Sequence, residues 1–213
     1  MRRQLDTVRA ALALVVLLLA ASSASAQNER PRLGPAVRIP SDVRAAPATL
    51  GCCKCLGGTN TLDLSTVSSN KWTVNGAPVS FLSAIHPLWN LNPGPAQWVS
   101  SAANGGTGSI APGAYEYRLD FVVPACTIGQ EVTLTGNVGG DDGFDVYLDS
   151  ATPPNLLTQC ATGWCFNTPK QTLHTFTRSV APGTHTLIVK VANGGGPSGM
   201  FVNASLTGAC RRE

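Results

Sequence analysis

The chain has 213 residues, 43% hydrophobic and only 13% charged, with a formal net charge of +3. That length suits one domain with a sizeable core, and so weak a charge leaves no electrostatic footprint for nucleic acid or an anionic membrane. With 22 Gly and 15 Pro, the composition also argues against long helices.

The first 26 residues read as an export signal. Arg2, Arg3 and Arg9 form a basic start, residues 10–21 are an unbroken apolar run, and Ala24-Ser25-Ala26 is a small-residue cleavage site. The run is shorter than the ~20 residues that span a bilayer. No second run of spanning length follows, so a mature chain from Gln27 is expected to carry no transmembrane segment and to reside in a periplasm or outside the cell. Without the signal the balance falls to 12 basic and 11 acidic residues.

Residues 27–50 hold four Pro and four Arg among small residues and read as a flexible arm. The folded domain is then expected over 51–213. It contains all seven cysteines: Cys52, Cys53, Cys55, Cys126, Cys160, Cys165 and Cys210. In an exported chain these are disulfide candidates before they are metal ligands. Cys160 and Cys165 are close enough in sequence to staple one loop. The odd count leaves at least one thiol free or available for self-association.

Strand patterns follow one another through the domain. In 115–123, Tyr115, Tyr117, Leu119, Phe121 and Val123 face one way, and Glu116, Arg118 and Asp120 the other. Segments 131–138, 144–149, 186–191 and 200–206 alternate in the same manner. Weaker strands fit 61–64, 71–75, 79–85, 97–100 and 171–178. Between them lie turn signals: Asn75-Gly76, Asn104-Gly105-Gly106, the 139–143 run Gly-Gly-Asp-Asp-Gly, Ala181-Pro182-Gly183 and the 193–197 run Asn-Gly-Gly-Gly-Pro. Many short strands, each with one apolar and one polar face, predict an all-β fold, an antiparallel β-sandwich of jelly-roll type.

The order of segments from Trp98 to Leu206 is similar to a known pattern. Pro112-Gly-Ala-Tyr-Glu-Tyr-Arg-Leu-Asp-Phe-Val-Val-Pro124 is followed by Leu134-Thr-Gly136, then Asp141-Asp-Gly-Phe-Asp-Val-Tyr-Leu-Asp149, then Asn193-Gly-Gly-Gly-Pro-Ser-Gly199 before the last strand. This resembles the galactose-binding-like, carbohydrate-binding-module-like jelly rolls of exported bacterial proteins over roughly half of the chain. The resemblance implies a fold more than a ligand. The cysteine-rich entry at 51–58 and the 160–165 loop lie outside the pattern.

Aromatic rings are the first ligand candidates, because sugar C–H edges stack on flat π faces. Trp72 alternates with Val74 and Trp98 opens a strand, which places both in the core. Trp89 sits in a polar–apolar loop and stays open between core and ligand. Trp164 lies within the loop that Cys160 and Cys165 would hold rigid and is the leading ligand residue. Tyr147, on the polar face of its strand, could line a sheet-face site. Asp141, Asp142 and Asp145, with Asp149 beyond them, follow a Gly-rich turn. They are either a hard-oxygen set for a structural calcium, which the resemblance also implies, or ordinary turn aspartates.

No catalytic motif appears. His86, His174 and His185 are scattered. Glu116, Asp120 and Asp145 could approach as a glycosidase pair only across a sheet. Asn203-Ala-Ser205 matches a glycosylation acceptor. The leading expectation is a non-catalytic binding module for a glycan or another extracellular polymer. A secreted structural or cell-surface assembly protein is the alternative, and a hydrolase the weaker reading.

Overall fold

The structure, a computed structural model, describes residues 46–50, 58–89, 94–124, 131–161, 165 and 174–210. The expected signal, most of the arm, Cys52, Cys53, Cys55, Cys126 and Trp164 lie outside the described residues.

Two sheets pack face to face. Sheet A holds β1 (Ala48–Thr49), β3 (Thr73–Val74), β4 (Ala77–Pro78), β7 (Gly113–Val123), β9 (Gly143–Leu148), β10 (Leu156–Cys160) and β12 (Gly183–Asn193). Its order is β10-β9-β12-β7-β3-β4, with β1 added parallel to β7. Sheet B holds β2 (Gly58–Asp63), β5 (Ser80–Phe81), β6 (Val99–Ser100), β8 (Glu131–Asp141), β11 (His174–Ser179) and β13 (Gly199–Cys210). Its order is β11-β8-β13-β6-β5, and β2 pairs with β13. All pairings except β1–β7 are antiparallel. The long strands alternate between sheets: β7 lies in A, β8 in B and β9 in A, then β11 in B, β12 in A and β13 in B. That alternation is the jelly-roll manner of closing a sandwich.

The period-2 pattern sets the register. Tyr117 and Leu119 of β7 stand opposite Val189 and Leu187 of β12 in sheet A, and with Phe121, Val123 and Val191 they bury against Leu134, Val138, Val202 and Leu206 of sheet B. Trp72 joins this core at 2% exposure, its indole N–H donating to Leu64 O and Ser65 O. Asn75 (φ 47°) and Gly76 (φ 83°) make the tight β3–β4 turn in the left-handed conformation that such a hairpin requires.

Two expectations shift. The folded part begins before residue 51: Ala48 and Thr49 pair with Phe121 and Val122, and Leu50 is buried. A short apolar end finds an open edge of β7 and docks on it. The 139–143 run is not one long turn either. β8 continues through Gly139 and Gly140 to Asp141, leaving only Asp142 between it and β9. Glycine serves there as a landing place for rings, since a Cβ on Gly139 would stand 2.5 Å from the Phe201 ring. β10 is a further strand that the sequence pattern did not signal. Among the described residues no helix is long and apolar enough to cross a membrane.

Candidate functional site

The polar chemistry gathers at one end of the sandwich, where β8 crosses to β9 and β12 turns into β13. Ser100, Asp141, Asn193 and Ser198 are all buried there. Ser198 Oγ donates to Asp141 O at 3.0 Å, and Ser100 Oγ donates to Ser198 O at 2.6 Å. Asn193 Nδ2 donates to Ile110 O (3.1 Å) and Ala111 O (2.9 Å), while its Oδ1 accepts from Gly195 N–H at 3.0 Å. The side chains thus do the work of tying loops that have no ladder of their own.

Asp141 is the most unusual group in this network. Its Oδ2 accepts the Trp89 indole N–H at 2.8 Å, and its Oδ1 is buried with no partner among the described residues. Trp89 stacks on Trp98 with centroids 4.3 Å apart, and Trp98 meets Phe201 edge-on at 5.1 Å. Together with Ala96 these rings form a second small core. Gly199 makes room for it, since a Cβ there would stand 2.7 Å from Val99 O and 3.3 Å from the Trp89 ring. Burial, and then the neighbouring Asp142 carboxylate, push the Asp141 carboxyl from its usual 3.8 up to about 8.

Asp142 is the outward member of the pair. Its Oδ2 accepts Gly194 N–H at 2.7 Å, and its own N–H donates to Ala192 O at 2.9 Å. Its carbonyl oxygen accepts Cys165 N–H at 3.3 Å, and Cys165 is joined to Cys160 in the expected disulfide. One residue therefore ties together the acid turn, the glycine turn at 194–196 and the disulfide loop. The rim so formed offers a carboxylate acceptor beside half-exposed main chain, the groups that hold sugar hydroxyls.

The sequence candidates separate as follows. Trp89 is fully buried, so neither ring face is open to a sugar. Its indole N–H is turned inward to the buried Asp141 carboxyl. Trp98 is buried as expected. Tyr147 is half-buried on the outer side of sheet A and donates to Asp145 Oδ2 at 3.2 Å. Burial and the Asp145 charge push its phenol upward. Asp145 stands opposite Lys190 in the β9–β12 register. It takes no part in the Asp141–Asp142 pair, and no three His, Cys, Asp or Glu side chains converge on a metal position among the described residues. Of the two readings weighed for these acids, the described residues show Asp141 and Asp142 together and Asp145 apart. A hard cation at Asp141 and Asp142 would need main-chain carbonyls and water for its other ligands.

The acids weighed as a hydrolytic pair hold different partners: Glu116 pairs with Arg118, Asp120 accepts from Thr186 and Asp145 from Tyr147. His86 lies against Trp89, His174 meets Phe144 edge-on, and His185 sits between Asp149 and Ala181 O. Asn203 of the acceptor motif lies mid-strand in β13, its Oδ1 bound by Ser65 Oγ at 3.3 Å. Sequence reading missed the Trp89–Asp141 contact, which spans 52 residues. The signal that could have found it is the acid itself, since an aspartate closing an apolar strand needs a donor. No protein-family model and no curated protein matches this chain.

Proposed function

We propose that the protein is an exported, non-catalytic module that holds a glycan or another hydroxyl-rich extracellular polymer at the Asp142 end of the sandwich. The observation that carries this reading is the 3.3 Å bond from Cys165 N–H to Asp142 O. It fastens Cys165, and with it the Cys160–Cys165 disulfide, beside a carboxylate and the exposed Gly194 and Gly195. A rim pinned in this way loses little freedom on binding, which favours affinity without a deep cleft. Export is supported by the basic–apolar–small order of residues 1–26 and by a disulfide, which persists in oxidising compartments.

The test is a polysaccharide and glycan screen on the full oxidised chain, with and without calcium. Loss of a hit in both Trp164→Ala and Asp142→Ala, with the fold retained in each variant, is the expected result. Binding that survives both substitutions would remove the site from this end. Calcium that strengthens binding in the parent but not in Asp142→Ala would assign the ion to Asp142.

A further inference from the structure

We propose that the outer face of sheet A is the docking site of this chain's own residues 33–45, which cross it as a strap with Arg44 paired to Asp120 and Val43 seated on Ile188. The register of β1 supplies the starting point. β1 is parallel to β7, with Ala48 opposite Phe121 and Thr49 opposite Val122. Traced back toward residue 45, the chain therefore runs beside Asp120 and Leu119. It cannot stay on that edge, because Thr73 and Val74 of β3 occupy it at Arg118 and Tyr117. The inner side is closed by the buried Trp72 and Val74. The way out lies over the outer face, and Ala46 and Pro47 are already exposed at this point.

The face beneath carries the mark of a cover. Arg118 of β7, Ile188 of β12, Tyr147 of β9 and Leu156 of β10 stand in one outward row. An isoleucine in the outer row of a two-sheet sandwich ordinarily meets water. Ile188 is only 2% exposed, yet it belongs to neither of the two cores. Its row neighbours Arg118 and Tyr147 are themselves half-buried. Burial of this kind calls for a further apolar side chain above the row.

Charge and length fit the same segment. Residues 33–45 read Leu-Gly-Pro-Ala-Val-Arg-Ile-Pro-Ser-Asp-Val-Arg-Ala, with two Arg against one Asp. The face carries Glu116, Asp120 and Asp145 against Arg118 and Lys190. The segment is thus net positive and the face net negative, the complementarity that fixes a docked register. Glu116 takes both cations, at 2.7 and 3.8 Å, and Asp145 stands opposite Lys190. Asp120 is the acid nearest the entry of β1, and its Oδ1 accepts Thr186 Oγ1 at 2.6 Å. Arg44 is within about 14 Å of extended chain from Ala48, and its long side chain reaches back to Asp120. Crossing from β7 to β9 spans two strand spacings, about 10 Å, which the segment covers with length to spare. Pro35 and Pro40 have no N–H to give, which suits a strap over a face better than a strand in a ladder. A second copy or another protein would have to displace a segment tethered beside its seat, at an effective concentration in the mM range. The strap closes this face to other partners and leaves binding to the Asp142 end.

The test is trypsin digestion of the full oxidised chain under native conditions, followed by mass spectrometry as the rate of cleavage after Arg38. A synthetic peptide of residues 33–47 is the unprotected reference. Cleavage in the chain should be at least about tenfold slower than in the peptide, and equal at low and high protein concentration. Arg44→Asp and Asp120→Arg should each speed it about fivefold, because a reversed charge turns an attraction into a repulsion and proteolysis follows the open population. The double variant Arg44→Asp/Asp120→Arg should recover the parent rate. Val43→Ser, a change outside the sandwich that cannot unfold it, should speed cleavage as well, and Asp142→Ala should leave it unchanged. The proposal is overturned if the chain is cut as fast as the peptide, if neither charge reversal changes the rate, or if the double variant stays fast. Protection that disappears on dilution would overturn it too, by making a second copy the occupant.

Discussion

The two outer faces of the sandwich meet water in opposite ways. On sheet A the outer positions of β7, β9 and β12 include charged, paired side chains beside Val122, Tyr147 and Ile188. Arg118 binds Glu116 at 2.7 Å, Lys190 approaches the same carboxylate at 3.8 Å, and Asp120 accepts from Thr186 Oγ1 at 2.6 Å. On sheet B the equivalent positions of β8, β11 and β13 carry Thr, Ser and Asn. Yet the inner sides of both sheets bury the same kind of core of Leu, Val and Phe. Core demands therefore cannot explain the contrast. Charges of both signs around a buried outward isoleucine suit a face that holds one segment, while short neutral side chains suit a face turned to water.

The first way to break this comparison is to ask whether the two faces rest on one core. Leu119 in β7 and Leu134 in β8 are both buried at 2% exposure or less. Replacing either by Ala should cost about 2–5 kcal/mol, the range for a leucine removed from a packed core. Denaturant unfolding checks it. A Leu134→Ala loss much smaller than that of Leu119→Ala would mean that sheet B is only loosely held.

The next effect in size lies where the faces meet, at Asp141. Asp141→Ala leaves the Trp89 indole N–H buried without its acceptor and should cost about 1–3 kcal/mol. Asp141→Asn keeps an acceptor oxygen and should be far milder. The pH dependence separates the parent from Asp141→Asn. The carboxyl is raised from 3.8 to about 8, so between those values the folded chain binds a proton that the unfolded chain releases. Stability from this group is therefore greatest below about pH 4, falls as pH rises and levels off above about pH 8. Thermal unfolding of Asp141→Asn across that window should be flatter than that of the parent. An equal slope would assign the proton elsewhere.

How far these features were readable in the sequence depends on their range. Alternation is local, so β7 and β9 were read to within two residues, β12 in its middle six, and the Asn75-Gly76 turn with them. β10 was missed because Leu156-Leu-Thr-Gln-Cys160 does not alternate and follows a Pro-Pro turn. The outer row of sheet B was half visible. Thr133 and Thr135 were read as the polar side of a strand, but the row formed with Thr177 and Ser205 exists only once strands 40 and 70 residues away pair with β8. The acid turn was singled out for calcium, and its actual neighbours, Trp89 and Cys165, were invisible because their contacts close long loops. Trp89 misled for a related reason: a loop tryptophan looks exposed until its donor has a buried partner.

The smallest predicted effect bears most directly on the comparison. Glu116 and its partners Arg118 and Lys190 are each about a third exposed, so their pairing is well screened. Glu116→Ala should cost less than about 1 kcal/mol, and less again in high salt. Thr135→Ala on the opposite face should cost equally little. Unfolding measurements alone would call the two substitutions alike, but trypsin cleavage after Arg38 should not: Glu116→Ala speeds it about twofold, by releasing two cations beside the seat of Arg44, and Thr135→Ala does not. If both sped it equally, protection would follow the stability of the whole sandwich, and the charges of sheet A would no longer be what distinguishes the face that holds the segment. If only Thr135→Ala sped it, residues 33–45 would lie on sheet B, and the outer row of sheet A would be a solvated surface.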